Sequence, residues 1–313
     1  MNIVVIGALG DVGSAVAKCA VEKGHRVAAF DVSRANISKL GPAQEMVSFF
    51  EGDVMDKASL LPAMQGVNAV IATLRLTPEQ MKKGRGYKEV ELQGIKNVVE
   101  AAKEKGARKF VHISVDGVGP GCVSDMYQAK FQAEEAIRNS GMDYTIFRSS
   151  GLFKDFDFFF IPQVLKMGDA ATTWFYGPLD IHMCPLSHFD LAQCMVSAVD
   201  NPKASNKTIT MGGPDCLTQG ELLNMIAREA GLKAHYTTGM SKEALIQSIK
   251  ANPQKSFFTA EQISDFIVDS KIDHSVIRDM FGVAFQRVGE YIRQAVPRVK
   301  TAMASQPKHE STS

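Results

Sequence analysis

Apolar and polar positions alternate along the chain with two periods. Short apolar runs at Ile3–Ile6, Val27–Phe30, Val47–Phe50, Ala69–Ala72, Phe110–Ile113 and Tyr144–Phe147 have the length of buried strands. Between them, Gly13–Lys23, a short Leu60–Met64 segment, Tyr87–Lys105 and Ala129–Ser140 carry a helical period. The longest of these, Tyr87–Lys105, sets Val90, Ile95, Val98, Val99 and Ala102 as its apolar positions and stops at Gly106. Strands alternating with helices imply parallel βαβ units with right-handed crossovers. The expected product is an α/β fold, a doubly wound parallel sheet with helices on both faces.

After Leu152 the rhythm changes. Phe153, Phe156, Phe158, Phe159, Phe160, Trp174, Phe175 and Tyr176 crowd together, and strand–helix alternation returns only at Thr208–Met211 and Gln219–Ala230. From Ser241 to Arg298 the pattern is mostly helical, and the tail from Thr301 to Ser313 is polar. The chain therefore reads as a sheet domain over residues 1–150, a smaller, mostly helical lobe over 151–300 interleaved with it, and a disordered tail over 301–313. The lobe is expected at the C-terminal edge of the sheet, where such folds bind ligands. Its aromatics read either as a pocket for an apolar substrate or, more plainly, as lobe core or the face of a homodimer.

Composition narrows the partners. With 45% apolar and 22% charged residues the chain is globular, which excludes wholesale disorder. Lys and Arg number 35 against 34 Asp and Glu, for a net charge of +1. That balance lacks the broad basic surface of a protein living on nucleic acid or anionic lipid, so a small soluble substrate is expected and no nucleic acid. No window approaches about 18 uninterrupted apolar residues, so no membrane span is expected. The N-terminal Met1-Asn2-Ile3 enters a strand at once without a basic leader, which reads as cytoplasmic. The five cysteines are odd in number, widely spaced and without C-x-x-C, and read as reduced thiols. His182 and His188 have no completing ligands, so no metal site is expected.

The chemistry starts at Gly7-Ala8-Leu9-Gly10-Asp11-Val12-Gly13, directly after the first strand and opening the first helix. Glycines there let the backbone turn tightly and approach a pyrophosphate, whose charge then faces the helix N-terminal amides. The alternative is an ordinary strand–helix turn, against which the position at the head of a βαβ pattern argues. Asp31 closes the second strand, where a carboxylate accepts hydrogen bonds from an adenosine ribose and repels a 2′-phosphate. Arg34, three residues on, is the group that would meet such a phosphate instead. The cofactor reading is NAD(P), leaning to NAD.

Further motifs join the glycine loop. Gly52-Asp53-Val54-Met55-Asp56 follows the third strand, and Gly66-Val67-Asn68-Ala69-Val70-Ile71 leads into the fourth. Lys130-Phe131-Gln132-Ala133-Glu134 precedes Ser140-Gly141-Met142-Asp143-Tyr144-Thr145-Ile146-Phe147-Arg148. His188-Phe189-Asp190-Leu191-Ala192 and Gly212-Gly213-Pro214 with Leu217-Thr218 come later. Jointly they resemble the atypical or extended short-chain dehydrogenase/reductases, of the NmrA-like and NAD-dependent epimerase type, over nearly the whole chain. The resemblance implies a Rossmann-type domain that holds NAD(P) through Gly7, Leu9, Gly10, Asp11, Val12, Gly13, Asp31, Arg34, Asp53, Val54, Thr73, Leu74 and Lys130. Asp53 and its neighbour would meet the adenine. Asn68 departs from the Asp of the family pattern.

That superfamily transfers hydride with a Ser or Thr, a Tyr and a Lys, the last two as Y-x-x-x-K. The lysine charge lowers the phenol's pKa, and the phenol exchanges a proton with the reacting oxygen. Ser114 and Lys130 fall at the Ser and Lys positions, but Met126 stands where Tyr belongs and Tyr127 is displaced by one. One helical residue is a rotation of about 100°. A first-turn position beneath a Ser124 or Asp125 cap leaves the geometry adjustable. Tyr127 thus stands as proton donor or bystander, Lys130 as cofactor contact or solvated lysine, and Ser114 as catalytic or backbone-bonded hydroxyl. The basic loop Lys82–Gly86 is a solvated face or a phosphate contact. An NAD(P)-dependent oxidoreductase is the leading function, with a non-catalytic dinucleotide sensor or an assembly scaffold as alternatives.

Overall fold

The computed structural model describes residues 1–305 apart from 172, 173, 176 and 257, and gives residues 170, 171, 174, 175 and 255 by their backbone alone. Tyr176 therefore lies outside the described residues. The chain forms two compact units. One comprises Met1–Ser149, His188–Met211 and Asp273–Ala284; the other comprises Ser150–Ser187, Gly212–Ile272 and the chain from Phe285.

The first unit is built on β1 (Asn2–Ile6), β2 (Arg26–Asp31), β3 (Val47–Glu51), β4 (Ala69–Ala72), β5 (Lys109–Val115) and β6 (Asp143–Ser149), extended by an edge strand at Lys207–Met211. Their order is β3-β2-β1-β4-β5-β6 and then the edge strand, with every pairing parallel. Strands so placed are covered on both faces, which is why Ile3, Val4, Val5 and Ile6 are all buried and none alternates with a polar residue. On one face Val4, Ile6, Val70, Phe110 and Ile146 pack with Ile95 and Val98 of the Gly94–Glu104 helix and Ala129, Ala133 and Ile137 of the Asp125–Arg138 helix. Helix α1 (Asp11–Glu22) packs with the His188–Ser197 helix. The expected doubly wound α/β sheet is the observed one.

Several boundaries differ for local reasons. The Asp125–Arg138 helix starts before Ala129 because the Ser124 hydroxyl caps it, accepting the Tyr127 N–H. The segment expected at Leu60–Met64 is a helix at Lys57–Leu60, started by the Asp56 carboxylate accepting the Ala58 N–H at 3.0 Å. Tyr87–Lys105 is two pieces, a π-helical turn at Lys88–Gln93 followed by the regular helix Gly94–Glu104.

The second unit is mostly helical, with helices at Phe153–Phe156, Phe160–Met167, Gln219–Glu229, Lys242–Ala251, Ala260–Phe266 and Val288–Ala304. Its core joins Phe153, Phe156, Ile161 and Val164 to Leu222, Ile226, Tyr291, Ile292 and Val296. Phe153 stacks on Tyr291 with ring centroids 5.0 Å apart, so these aromatics form lobe core, whereas Phe158 is 65% exposed. The last helix runs to Ala304, past the Thr301 at which a polar tail was expected, because Met303 packs against this core and the Thr301 hydroxyl bonds back to the Pro297 carbonyl. Residues 306–313 lie outside the described residues.

One expectation is overturned. Cys184 and Cys216 are joined by a disulfide rather than standing as reduced thiols. Strand register explains it. His182 pairs with Thr218 and Met183 with Leu217 in an antiparallel ladder, so the next position outward sets Cys184 against Cys216, with Cα atoms 4.1 Å apart. The bridge removes the cysteine half of the case for a cytoplasmic location. Among the described residues no helix is long and apolar enough to cross a membrane.

Candidate functional site

Strand order reverses at β1, whose neighbours are β2 and β4, and the glycine loop leaves β1 at that switch point. Gly7 adopts φ +78°, and its N–H and that of Ala8 both donate to the Phe30 carbonyl, at 2.9 and 3.1 Å. A Cβ on Gly13 would stand 2.0 Å from the Gly7 carbonyl oxygen, so the helix can approach the strand this closely only without a side chain there. Leu9 is buried and Val12 half-buried, while Asp11 is exposed and pairs with Lys39 at 3.1 Å. The head of α1, at Gly10, carries no side-chain cap.

Two neighbouring strands hold the loop. From β2, one carboxylate oxygen of Asp31 accepts the Leu9 N–H at 2.8 Å and the other accepts the Val32 N–H at 2.8 Å. Burial pushes the Asp31 carboxyl up, against the pull of these two amides and Lys39. From the end of β4, the Thr73 hydroxyl donates to the Ile6 carbonyl at 2.9 Å. Leu74 packs half-buried on the adjacent core. Arg34 is exposed, with its guanidinium over the Phe49 ring at 5.4 Å.

After β3, Asp53 forms an ion pair with Arg85 at 2.6 Å. Partial burial raises the Asp53 carboxyl, but the Arg85 guanidinium and the Met55 amide outweigh it and hold it below the usual carboxylate range. Arg85 belongs to the basic loop Lys82–Gly86, so part of that loop serves Asp53 rather than solvent. Val54 is buried, its carbonyl accepting from Asn97 at 2.8 Å. Gly94 makes room for it, since a Cβ there would lie 2.8 Å from Val54 Cγ2.

The remaining predicted residues come from β5 and the helix behind it. Ser114 and Tyr127 are both buried. Tyr127 and Lys130, three apart, are neighbours on the helix surface. Lys130 Nζ pairs with Glu91 Oε2 at 2.6 Å, and Glu91 Oε1 accepts the Leu76 N–H at 3.0 Å. The π-helical turn carries Glu91 inward, with Val90, Glu91 and Leu92 buried in succession.

One turn beyond Lys130, Glu134 is fully buried between two arginines, with Arg148 Nη2 at 2.6 Å and Arg138 Nη2 at 2.5 Å. Burial alone would raise its carboxyl; Arg148, the Ser114 hydroxyl and Arg138 more than reverse that and hold it ionised. His112, also on β5, is driven down to about 3, first by burial and then by the charge of Lys130. It is a neutral imidazole near neutral pH. Glu91, His112, Glu134 and Arg148 are the polar residues to which the sequence assigned no role. Glu134 and Arg148 were visible in its motifs; nothing along the chain marked Glu91, because the depth of Lys130, which demands a carboxylate, belongs to the fold.

In the second unit, His182 Nδ1 pairs with Asp269 at 2.6 Å. Among the described residues no cluster of His, Cys, Asp and Glu is placed to hold a metal ion.

A family model described as the NmrA-like family matches residues 1–292. The chain is 25% identical over 238 residues to the photosystem II assembly factor Ycf39 of Cyanophora paradoxa, a match covering 76% of this chain and 71% of that protein. It is 27% identical over 266 residues to the isoflavone reductase homolog IRL of Zea mays, covering 80% and 81% of the two chains. Among solved structures it is similar to the Escherichia coli NADPH-dependent quinone oxidoreductase QOR2 complexed with NADPH, at TM-score 0.71 and 17% identity over 94% of this chain and 99% of that one. Identity so low makes that last likeness one of fold.

Proposed function

The chain belongs to the NmrA-like family, and on that premise we propose that it is an NAD(P)-dependent oxidoreductase acting on a small or medium organic substrate. The glycine loop carries this reading: it lies at the switch point of the sheet, the head of α1 has no side-chain cap, and Asp31 and Thr73 fix it from either side.

Gly7, Gly10 and Gly13 would receive the pyrophosphate, Asp31 the adenosine ribose, Asp53 and Val54 the adenine, and Lys130 the nicotinamide half. A bound dinucleotide supplies or accepts the hydride. Lys130 brings the positive charge and a proton on Nζ, and Glu91 fixes where that nitrogen stands. Tyr127 stands three residues before Lys130 on the same helix and is the phenol we assign to it. Asp31 favours NAD, because a 2′-phosphate beside its half-buried carboxylate is repelled; Arg34, exposed three residues on, and Lys39, whose charge reaches Asp31, favour NADP.

The second reading is a dinucleotide-binding sensor or assembly scaffold without turnover. Met126 in the usual tyrosine position favours it, as does a Lys130 charge already answered by Glu91. The relatives' names span both readings, an assembly factor and a reductase homolog. Titration of the protein with NADH and NADPH, followed by oxidation assays on carbonyls, quinones and enones, separates them. Binding with turnover of at least one class is expected. Tight binding without turnover of any class selects the sensor, and failure to bind either dinucleotide overturns both readings.

A further inference from the structure

Cys216 lines a cavity of about 880 Å³ within the second unit, bounded by the Gln219–Glu229 helix and the first turns of the Val288–Ala304 helix. Cys216 is exposed while its bridge partner Cys184 is fully buried. A thiol arriving from solvent therefore meets the Cys216 sulfur. The Ile272 N–H points at Cys184 Sγ from 3.2 Å, so the sulfur that would leave has a donor in place for its developing charge.

Packing keeps the two cysteines together whether or not they are bonded. A Cβ on Gly212 would stand 2.8 Å from Cys184 Cβ, and one on Gly213 would stand 2.1 Å from the Pro185 carbonyl oxygen. Only glycines allow the two segments this approach, and the Met183–Leu217 pairing next to them fixes the register. Reduction leaves both thiols facing each other, ready to close again.

The walls of the cavity carry three carboxylates and three arginines, placed differently. Its carboxylates are engaged locally: Asp215 binds Arg287 and the Val288 N–H, Glu221 accepts the Thr218 N–H at 2.7 Å, and Glu290 accepts the Arg287 N–H at 3.4 Å. Arg228 and Arg293 also line the cavity, and among the described residues neither has a carboxylate partner. Both arginines are exposed and available to an incoming anion.

We propose that Cys184–Cys216 is a reversible thiol–disulfide site, and that the cavity beside it admits a small thiol bearing carboxylates, which forms a mixed disulfide at Cys216. The small thiolate attacks Cys216 Sγ and a new S–S bond forms. The Cys184–Cys216 bond breaks, its electron pair leaves on Cys184 Sγ beside the Ile272 N–H, and that thiolate takes a proton from water. A second small thiolate attacks the small-thiol sulfur of the mixed disulfide, releasing Cys216 as a thiolate and the symmetric small disulfide. The pair gains two electrons and two small thiols are oxidised. In reverse, the small disulfide oxidises the dithiol.

The test uses the oxidised full chain with glutathione, 2-mercaptoethanol and cysteamine, which are anionic, neutral and cationic. Rates of bridge opening at matched thiolate concentration, each divided by the rate on a linear model disulfide, are read by alkylation and intact mass. Glutathione is expected to lead by about fivefold for each arginine engaged, the factor for a unit charge pair at ~4 Å in water. Peptide mapping should put the adduct on Cys216, and salt near about 1 M should erase the preference. Arg228→Gln with Arg293→Gln should erase it too while leaving the 2-mercaptoethanol rate unchanged, which also reports that the fold is intact. Cys184→Ser, which leaves Cys216 as a free thiol, should take up one glutathione from oxidised glutathione, releasing the other as the thiol, and hold the mixed disulfide on Cys216. Equal rates for the three thiols, an adduct on Cys184, or a bridge that none of them opens in the folded chain would overturn the proposal.

Discussion

Lys130 and Glu91 meet in an ion pair of 2.6 Å at which only 14% and 4% of the two side chains are exposed. The lysine sits in an α-helix behind β5 and the glutamate in a π-helical turn ahead of the Gly94–Glu104 helix. A charge pair this deep is held by each partner's need for the other, because either one alone would be buried and uncompensated. That need gives the first prediction. Glu91→Leu and Lys130→Met should each destabilise the protein by about 3 kcal/mol, while the double variant should recover most of the loss. Urea denaturation of the four proteins measures this, and additive single losses would contradict a coupled pair.

Asp31 has two tasks that can be separated. Asp31→Ala should relax the preference for NADH over NADPH and also loosen the loop, because the Leu9 N–H loses its acceptor, at about 1–2 kcal/mol. Asp31→Asn keeps an oxygen for that amide and removes the charge, giving up only the acceptor of the Val32 N–H, whose residue is exposed to solvent. It should relax cofactor preference at nearly full stability. Affinities for both dinucleotides beside thermal unfolding decide the matter, and an unchanged preference in both variants would sink the ribose assignment.

Gly13→Ala should abolish dinucleotide binding, since its methyl group would overlap the Gly7 carbonyl and force α1 away from β1. Gly24→Ala, in a turn with open space around it, is the control for backbone strain at positive φ and should leave binding intact. Equal losses of affinity in the two would show that any methyl group added in this unit, and not the close approach, is responsible.

Stability should fall on acidification through His112. Its imidazole, ordinarily near 6.5, is held at about 3 in the folded chain. Between those values the unfolded chain binds the proton and the folded one does not. The contribution is therefore complete above about pH 6.5 and is lost as the pH falls towards 3, at about 1.4 kcal/mol per pH unit. His112→Gln should flatten this part of the pH–stability curve measured by urea denaturation between pH 4 and 7 at roughly half-unit steps. An identical slope in the variant would place the titration elsewhere.

What the sequence revealed was whatever depends on neighbours along the chain. Ile3–Ile6 and Ala69–Ala72 are legible as strands because a strand covered on both faces needs an unbroken apolar run. The glycine loop is legible because its close contact, Gly7 against Gly13, spans a single turn. Glu91 was not: four and seven residues before Ile95 and Val98 it shares their helical face, but the lysine that lets a carboxylate stand there comes from another helix, and no spacing along the chain names it. Cys184 and Cys216 escaped for a different reason. Their opposition is a matter of strand register across a separation of 32 residues, and no spacing rule along the chain encodes it.

The division of the chain has a consequence for its biosynthesis. The sheet unit takes its edge strand from Lys207–Met211 and its last helical segment from Asp273–Ala284. A ribosome making all 313 residues in order must therefore release the chain as far as Ala284 before that unit can close. Until Lys207–Met211 has been made, β6 waits with an unpaired flank, the kind of exposed edge on which nascent chains associate wrongly. Dinucleotide affinity should then appear only once Ala284 has been made, and a chain arrested before Lys207 is the one most in need of a chaperone.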